Sequence, residues 1–495
     1  MGSSMIGQNS SEQTIQLPIV GSTKFGRTPK MSSEQTFNMI ISDGWLVPFG
    51  GWTPFIIGSS TSVGRGIFSS QTLNRLFAVI DNKIFYIGQG LSREFVGLTA
   101  TNSGDVFINE NNGGQLVFSD KKNLYVYEVG SPPSFTTLTP ANDLGFTPGN
   151  ITFQNGRFIT VDLNSNRWRL SALPPSGGLS WPDDAQHVGA VETKPGLARG
   201  VIRFPGSGNK LLVFGQNVGE IWQDVGARLF PYQRDQSTNI DYGLTNTATL
   251  AANEHMVCWV GSNEESGPAI MYTLGNAAER ISTDGIDEKI SELTHPTECF
   301  GFMMRLVGHL CYLVSWPKDN LSYLYDFNTK SFFTMCDENM DVFTVKQVAF
   351  FNNQYWFVSA KDGGLYKLDV NYPFYDYGNG NKYEIPLIRV LPAITMPDQS
   401  PFISRNPSFI IEQGNFDYNV GDTDNIPRVD LTISVDGGVN YSNAWAEEMQ
   451  PIGRRQSLFA WNDDLGYAND LTLQFRFHGL NGKFVPSNGT IGVSQ

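Results

Sequence analysis

Apolar segments of strand length, broken by polar turns, recur through the first three quarters of the chain. This recurrence limits the fold more than any other feature. One unit runs through Arg75–Ile80, turns at Asp81 and Asn82, returns through Lys83–Gly88 and adds Glu94–Leu98. The next places Asp105–Ile108, Gln115–Phe118, Leu124–Tyr127 and Ser134–Leu138 around a turn at Asp120–Asn123. Similar strings follow at Arg157–Val161, Lys210–Phe214, Met256–Val260, Leu310–Val314 and Tyr355–Val358. Their second strands begin near 76, 115, 157, 210, 256, 310 and 355, at intervals of 39, 42, 53, 46, 54 and 45. A period near 45 with up to four strands per unit predicts an all-β chain built as a β-propeller. One such sheet buries little alone, so stacking around an axis must supply the core. The boundaries fit six or seven blades, and a sandwich of irregular hairpins is the competing fold.

Several units repeat the chemistry of an outer turn, as in Tyr325–Phe332 with Asp326 and Asn328, and Val161–Trp168 with Asp162 and Asn164. Asp and Asn there can bond the turn backbone before the last strand of a blade. Residues 1–60 lack the repeat and form an N-terminal arm holding Phe37–Ile41, Gly44–Pro48 and Trp52. This arm could close the propeller by donating a strand, or pack on the C-terminal domain. The propeller is expected over 61–371. Beyond it, Tyr372–Asn381 reads as a turn-rich linker. The longer alternating strands Ser408–Glu412, Arg428–Ser434 and Asp470–Phe477 then suggest an antiparallel sheet with one face covered. Residues 372–495 therefore read as a β-sandwich-like domain.

Charged residues make up only 17% of the 495, against 34 Phe, 18 Tyr and 10 Trp, which suits a surface covered by neighbouring subunits. Gly 51 and Pro 26, scattered along the chain, favour many short strands. No run of eighteen apolar residues offers a membrane span. The start, Met1–Met5, lacks the basic and apolar regions of a secretory signal, and Met5 with Ile6 stands where myristoylation wants Ser or Thr. Net charge is −14, which argues against tight binding to DNA but suits a wall past which DNA slides. Cys258, Cys299, Cys311 and Cys336 show no CxxC spacing and read as buried hydrophobes of a protein made in a reducing compartment.

Three ordered strings resemble the packaged-DNA stabilisation family, the tail hub or nozzle of short-tailed double-stranded DNA phages. They are Trp259–Asn263 leading through Gly267 to Arg280–Thr283, then Gly364–Asp369, then Ser434–Gly438 with Tyr441, Trp461, Leu465 and Leu473–Phe477. The resemblance spans roughly 235–480. It implies a six-fold homohexameric ring in the virion tail, below the head-to-tail adaptor and portal. Such rings continue the DNA channel, carry fibres or spikes on their flank, hold a plug or needle, retain the packaged genome and let it exit. The family has no catalytic residues to carry over. The acidic Trp461–Asp464, with only Arg454 and Arg455 as a local positive pair, departs from a more basic C-terminal pattern.

Enzyme chemistry has few candidates. Ser434–Tyr441 approximates an Asp-box hairpin, which is mainly a structural turn. The pairs Asp183-Asp184, Glu264-Glu265, Glu447-Glu448 and Asp463-Asp464 could serve glycoside hydrolysis only if two carboxyls faced each other across a cleft. His255 and His309 border apolar strands and read as turn or buried histidines. Asp284–Glu288 falls short of a calcium loop, and the scattered histidines give no zinc spacing. The expectation is a non-enzymatic chain with no catalytic, cofactor-binding or metal residue and no cofactor. Channel-lining and interface residues are not legible. The alternative is a carbohydrate-binding or glycan-cleaving propeller acting as a host-receptor protein.

Overall fold

The computed structural model describes residues 13–26, 34–173, 179–253, 255–411, 427–449, 458–479, 485–486 and 488–494. Five four-stranded antiparallel sheets, and two four-stranded antiparallel stretches of larger sheets, follow one another as blades around an axis. Blade 1 is Gly64–Ser70, Arg75–Ile80, Lys83–Ile87 and Arg93–Leu98; blade 2 is Phe107–Glu110, Gln115–Ser119, Leu124–Glu128 and Ser134–Leu138. Blade 3 is Pro148–Gln154, Arg157–Asp162, Arg167–Leu170 and Val188–Ala190, and blade 4 is Ala198–Arg203, Lys210–Gly215, Gly219–Asp224 and Tyr232–Ile240. Blade 5 is Ala251–Asn253, Met256–Gly261, Ala269–Thr273 and Ala278–Arg280, and blade 6 is Phe300–Leu306, His309–Trp316, Leu321–Asp326 and Ser331–Thr334. Blade 7 takes Val345–Phe351, Gln354–Ser359 and Leu365–Asp369 from its own stretch and its fourth strand, Gly51–Ile56, from the N-terminal arm. The count is seven.

A sheet of this length has two apolar faces and no core of its own, so each face is buried on the next blade. Separate clusters fill successive gaps: Phe77 with Phe118 between blades 1 and 2, Trp168 with Trp222 between 3 and 4, and Tyr312 with Cys258 between 5 and 6. Hydrogen bonds run between neighbours all the way round. The Val106 amide donates to the Arg65 carbonyl (2.9 Å), Ser119 Oγ to Gly149, and Asn150 Nδ2 to the Val201 carbonyl (2.7 Å). Thr247 Oγ1 donates to Arg199 (2.8 Å), Tyr312 OH to Thr249 (2.8 Å), and the Arg305 amide to Tyr355 OH (2.9 Å). The Ile67 amide closes the circle on Gln347 Oε1 at 3.2 Å.

The arm does both things its sequence left open. Gly51–Ile56 completes blade 7 and brings Trp52 into the core with no exposed surface. Its indole stacks on Tyr375 at 3.8 Å and meets Phe343 and Phe357 edge-on. Gln35–Phe37 lies beside Ser331–Thr334 of blade 6 and pairs antiparallel with Leu387–Val390, splicing that blade to the C-terminal sheet. From Leu387–Val390 this sheet continues through Thr472–His478, Arg428–Ser434 and Trp445–Glu448. The facing sheet holds Gln13–Leu17, Gly489–Ser494 and Phe402–Ile410, and the last of these pairs with both Leu458–Ala460 and Asp464–Ala468. Phe409, Trp461 and Phe475 pack between the two sheets. The stretch read as a linker also differs from expectation. Phe374–Asp376 is a strand beside Trp52 and forms a hairpin with Lys382–Glu384, because the Tyr375 ring has an aromatic partner to stack on.

A buried arginine fastens the arm. Arg389 has no exposed surface and bonds Glu34 Oε2 at 2.6 Å. It also donates to the carbonyls of Pro18 (3.0 Å), Ile19 (2.9 Å) and Ser22 (3.2 Å). The chain passes this guanidinium at Gly21, where an added Cβ would lie 1.9 Å from Arg389 Nη2. Gly21→Ala should therefore lower stability by about 1–3 kcal/mol, the range for overpacking a filled site, read as a fall in melting temperature.

The two acidic turns do form Asx-type bonds, but they occupy different places. Asp162 accepts from the Asn164 amide (3.1 Å) between the second and third strands of blade 3. Asp326 accepts from the Asn328 amide (2.9 Å) between the third and fourth strands of blade 6. Successive hairpins in a propeller open on opposite ends, so these turns share chemistry but are not one repeated element.

Candidate assembly surfaces and the propeller axis

A cavity of about 270 Å³ lies at one end of the axis, where the inner strands of five blades begin. Val63, Gly64, Asp105, Asn246, Phe300 and Lys346 line it. Lys346 Nζ reaches Asp105 Oδ1 and the Gly64 carbonyl, each at 3.0 Å, so one ammonium group joins blades 7, 1 and 2. Behind it, the buried Arg65 donates to Thr99 Oγ1, Thr101 Oγ1 and the carbonyls of Asp81, Thr101 and Gly104. Burial pushes the Asp105 carboxyl up, but Lys346, Lys121 and Arg65 together hold it below its ordinary value. A carboxyl depressed by folding stabilises the protein above its unfolded value and loses that contribution as pH falls through the folded one. Asp105→Asn should therefore melt lower than wild type at neutral pH, and the gap should narrow as pH falls below about 4. Melting temperatures recorded from pH 7 to pH 3 check both parts.

The residues considered for catalysis are either held by structural partners or exposed at the surface. Asp183 pairs with Arg169 (2.6 Å), while Asp184 accepts from His187 Nδ1 (2.7 Å) and the Gln186 amide. Glu264 lies 3.9 Å from Lys194, and Asp464 2.8 Å from Arg405. Glu447 and Glu448 are exposed on a sheet edge. His255 sits in the exposed turn before Met256–Gly261. His309 is held by Asp326 (2.8 Å) and Ser42 (3.2 Å). Asp284–Ser291 is a helix capped by Thr283, and Arg280 binds both Asp284 and Asp287. In Ser434–Tyr441, Asp436 accepts from the amides of Val439 (3.1 Å) and Asn440 (3.0 Å) and from Ser434 Oγ. Those bonds, led by the Asn440 amide, hold its carboxyl well below the usual range, as a structural turn requires. All four cysteines are free and buried, and burial pushes the Cys336 thiol up to about 12. Among the described residues no group of three His, Cys, Asp or Glu is placed to hold a metal. No described helix is long and apolar enough to cross a membrane.

What sequence reasoning missed is the state of the sheet edges, which only the pairing reveals. The outer strands of blades 6 and 7 are covered by added strands. Among the described residues blades 1 to 5 end on strands with no outer partner, and Phe95, Leu98 and Val129 are exposed near the edges of blades 1 and 2. Unpaired edges and exposed apolar side chains suit contact with other chains.

Residues 27–372 match the family described as Bacteriophage P22 Gp10, beta-propeller. The chain belongs to this family. Two of the three strings that suggested it, Trp259–Thr283 and Gly364–Asp369, lie inside the matched stretch; the third, Ser434–Phe477, lies beyond it. The family is one of structural phage proteins, a tail and DNA-stabilisation propeller, so this chain is a virion component. No curated protein matches the chain. Among solved structures, streptogramin B lyase is 16% identical with a TM-score of 0.42, covering 64% of this chain and 96% of that one. Virginiamycin B lyase from Staphylococcus aureus, solved with quinupristin, is 12% identical with a TM-score of 0.43, covering 64% and 98%. The WD40 propeller domain of Doa1 is 10% identical with a TM-score of 0.39, covering 65% and 97%.

Proposed function

We propose that the protein is one subunit of a six-membered ring in the tail of a short-tailed phage. The ring continues the DNA channel below the head-to-tail adaptor, retains the packaged genome and lets it leave at ejection. The observation that carries this reading is the family match across the whole propeller. The weave of the arm through both propeller and sandwich supports it. Strands paired across more than 300 residues make one stiff body, as a ring subunit under genome pressure requires. The portal and adaptor above, a fibre or spike on the flank and a plug or needle below are the proposed partners. A net charge of −14 keeps passing DNA from adhering. The chain acts through assembly rather than turnover, and the acidic pairs in surface turns and edges favour this over a glycan-cleaving propeller.

Quantitative mass spectrometry of purified particles tests this reading. It should find the chain at six copies for each tail, and the purified chain should release no sugar from host glycans. One copy per tail, or turnover abolished by removing a single carboxylate, would overturn it.

A further inference from the structure

An exposed strand edge invites pairing, and folded proteins blunt such edges with charge, bulges, brevity or a covering strand. Almost every edge here is blunted. Blade 1 ends on Arg93–Leu98, with two charges and a register shift, and blade 4 on Tyr232–Ile240, with Arg234, Asp235 and another shift. Blades 3 and 5 end on three-residue strands, and blades 6 and 7 are covered. The sandwich closes one side with Glu447 and Glu448, and another with Asp464 and the three-residue Leu458–Ala460.

Two edges stand apart. Ser134–Leu138 of blade 2 reads Ser-Phe-Thr-Thr-Leu and pairs with Leu124–Glu128 over five residues without a shift. Gln13–Leu17 of the sandwich reads Gln-Thr-Ile-Gln-Leu and pairs with Gly489–Ser494 over five residues, also without a shift. Both are uncharged, free of proline and about 16 Å long at the usual rise of an antiparallel strand. Each is the last strand of its sheet among the described residues. One projects from the propeller two blades beyond blade 7, the other from the sandwich.

We propose that the blade 2 edge of one copy pairs with the Gln13–Leu17 edge of the next, so that the sheets run on between subunits. This rests on the ring reading above and names its contact. Two matched edges on different parts of one surface make a head-to-tail contact, which closes into a ring when the rotation between copies permits. Main-chain hydrogen bonds supply the pairing, and the lack of charge on either strand removes the repulsion that blunts the others.

Thr14 and Thr136 are exposed and lie at these two edges, so they carry the test. The full chain is assembled alone and on adaptor-bearing heads, and rings are counted by electron microscopy. Thr136→Lys should raise the concentration for half-assembly by about tenfold or more, the effect of disabling a central interface position. Adding Thr14→Glu should restore it through the opposite charge, while adding Thr14→Lys should not. As a measurement independent of assembly strength, Thr14→Cys with Thr136→Cys should give ladders of linked copies with a short bis-maleimide. Either cysteine alone should stop at dimers or fewer, since the four native thiols are buried. Unchanged melting temperatures show that the variants fold. Rings that form normally in Thr136→Lys and give no ladder overturn the pairing alone. Wild-type chains that form no ring in either setting overturn the ring reading and the pairing with it.

Discussion

Trp52→Ala should destabilise the protein by about 3–5 kcal/mol, the range for emptying a large aromatic site in a core. The indole has no exposed surface, and Phe343, Phe357, Tyr366, Tyr375 and Tyr377 surround it. These rings come from blade 7, from the connection leading into it and from the hairpin beyond. The loss should therefore be felt where the propeller closes. Hydrogen exchange should quicken first in Leu365–Asp369 and Phe374–Asp376, the strands that flank Gly51–Ile56. Blades 2 to 4 should keep wild-type protection until global unfolding. Trp52→Phe, which keeps an aromatic ring for Tyr375 to stack on, should recover most of the stability. Uniform loss of protection across all blades would show that the arm strand is not the closing element.

Arg389→Met should cost about 3–5 kcal/mol, the usual penalty for removing one member of a buried ion pair. Glu34 would keep only Lys24, 2.9 Å away at the surface, and the carbonyls of Pro18 and Ile19 would lose their donor. The double variant Arg389→Met with Glu34→Leu should be more stable than Arg389→Met alone, because no buried charge is left without its partner. Burial draws the Arg389 guanidinium downward and Glu34 draws it upward, with a net lowering. Chemical denaturation of the four forms checks the prediction as a double-mutant cycle, and additivity would show that the pair is not coupled.

Legibility in the sequence followed the range of the interactions. Second strands expected near 76, 115, 157, 210, 256, 310 and 355 begin at 75, 115, 157, 210, 256, 309 and 354. These strands lie in the middle of a sheet, apolar on both faces, so a local run of residues reveals them. First and fourth strands are shorter or more polar, and several escaped notice. The arm's two destinations stood only as alternatives, and its pairing partners were not legible, for another reason. Gln35–Phe37 finds its partners at Ser331–Thr334 and Leu387–Val390, and nothing local in three residues records a partner so far away. Nothing local marks Arg389, and only the path of the arm makes it a buried anchor. The turns of Asp162 and Asp326 looked alike because Asx chemistry is local, whereas their places in the blade depend on strand count. The acidic pairs gave no sign of facing each other across a cleft, because adjacency in sequence does not record which side chains meet in space. The edges that form the candidate assembly surface could not be listed, because an edge is defined by which strands pair.

Electron microscopy of this chain bound below the adaptor of its own particles tests the account most directly. A hollow six-fold ring is expected, each subunit a seven-bladed propeller joined to its sandwich, with the ring's opening in line with the portal channel. Single copies scattered on the tail, with no ring around the channel, would contradict it.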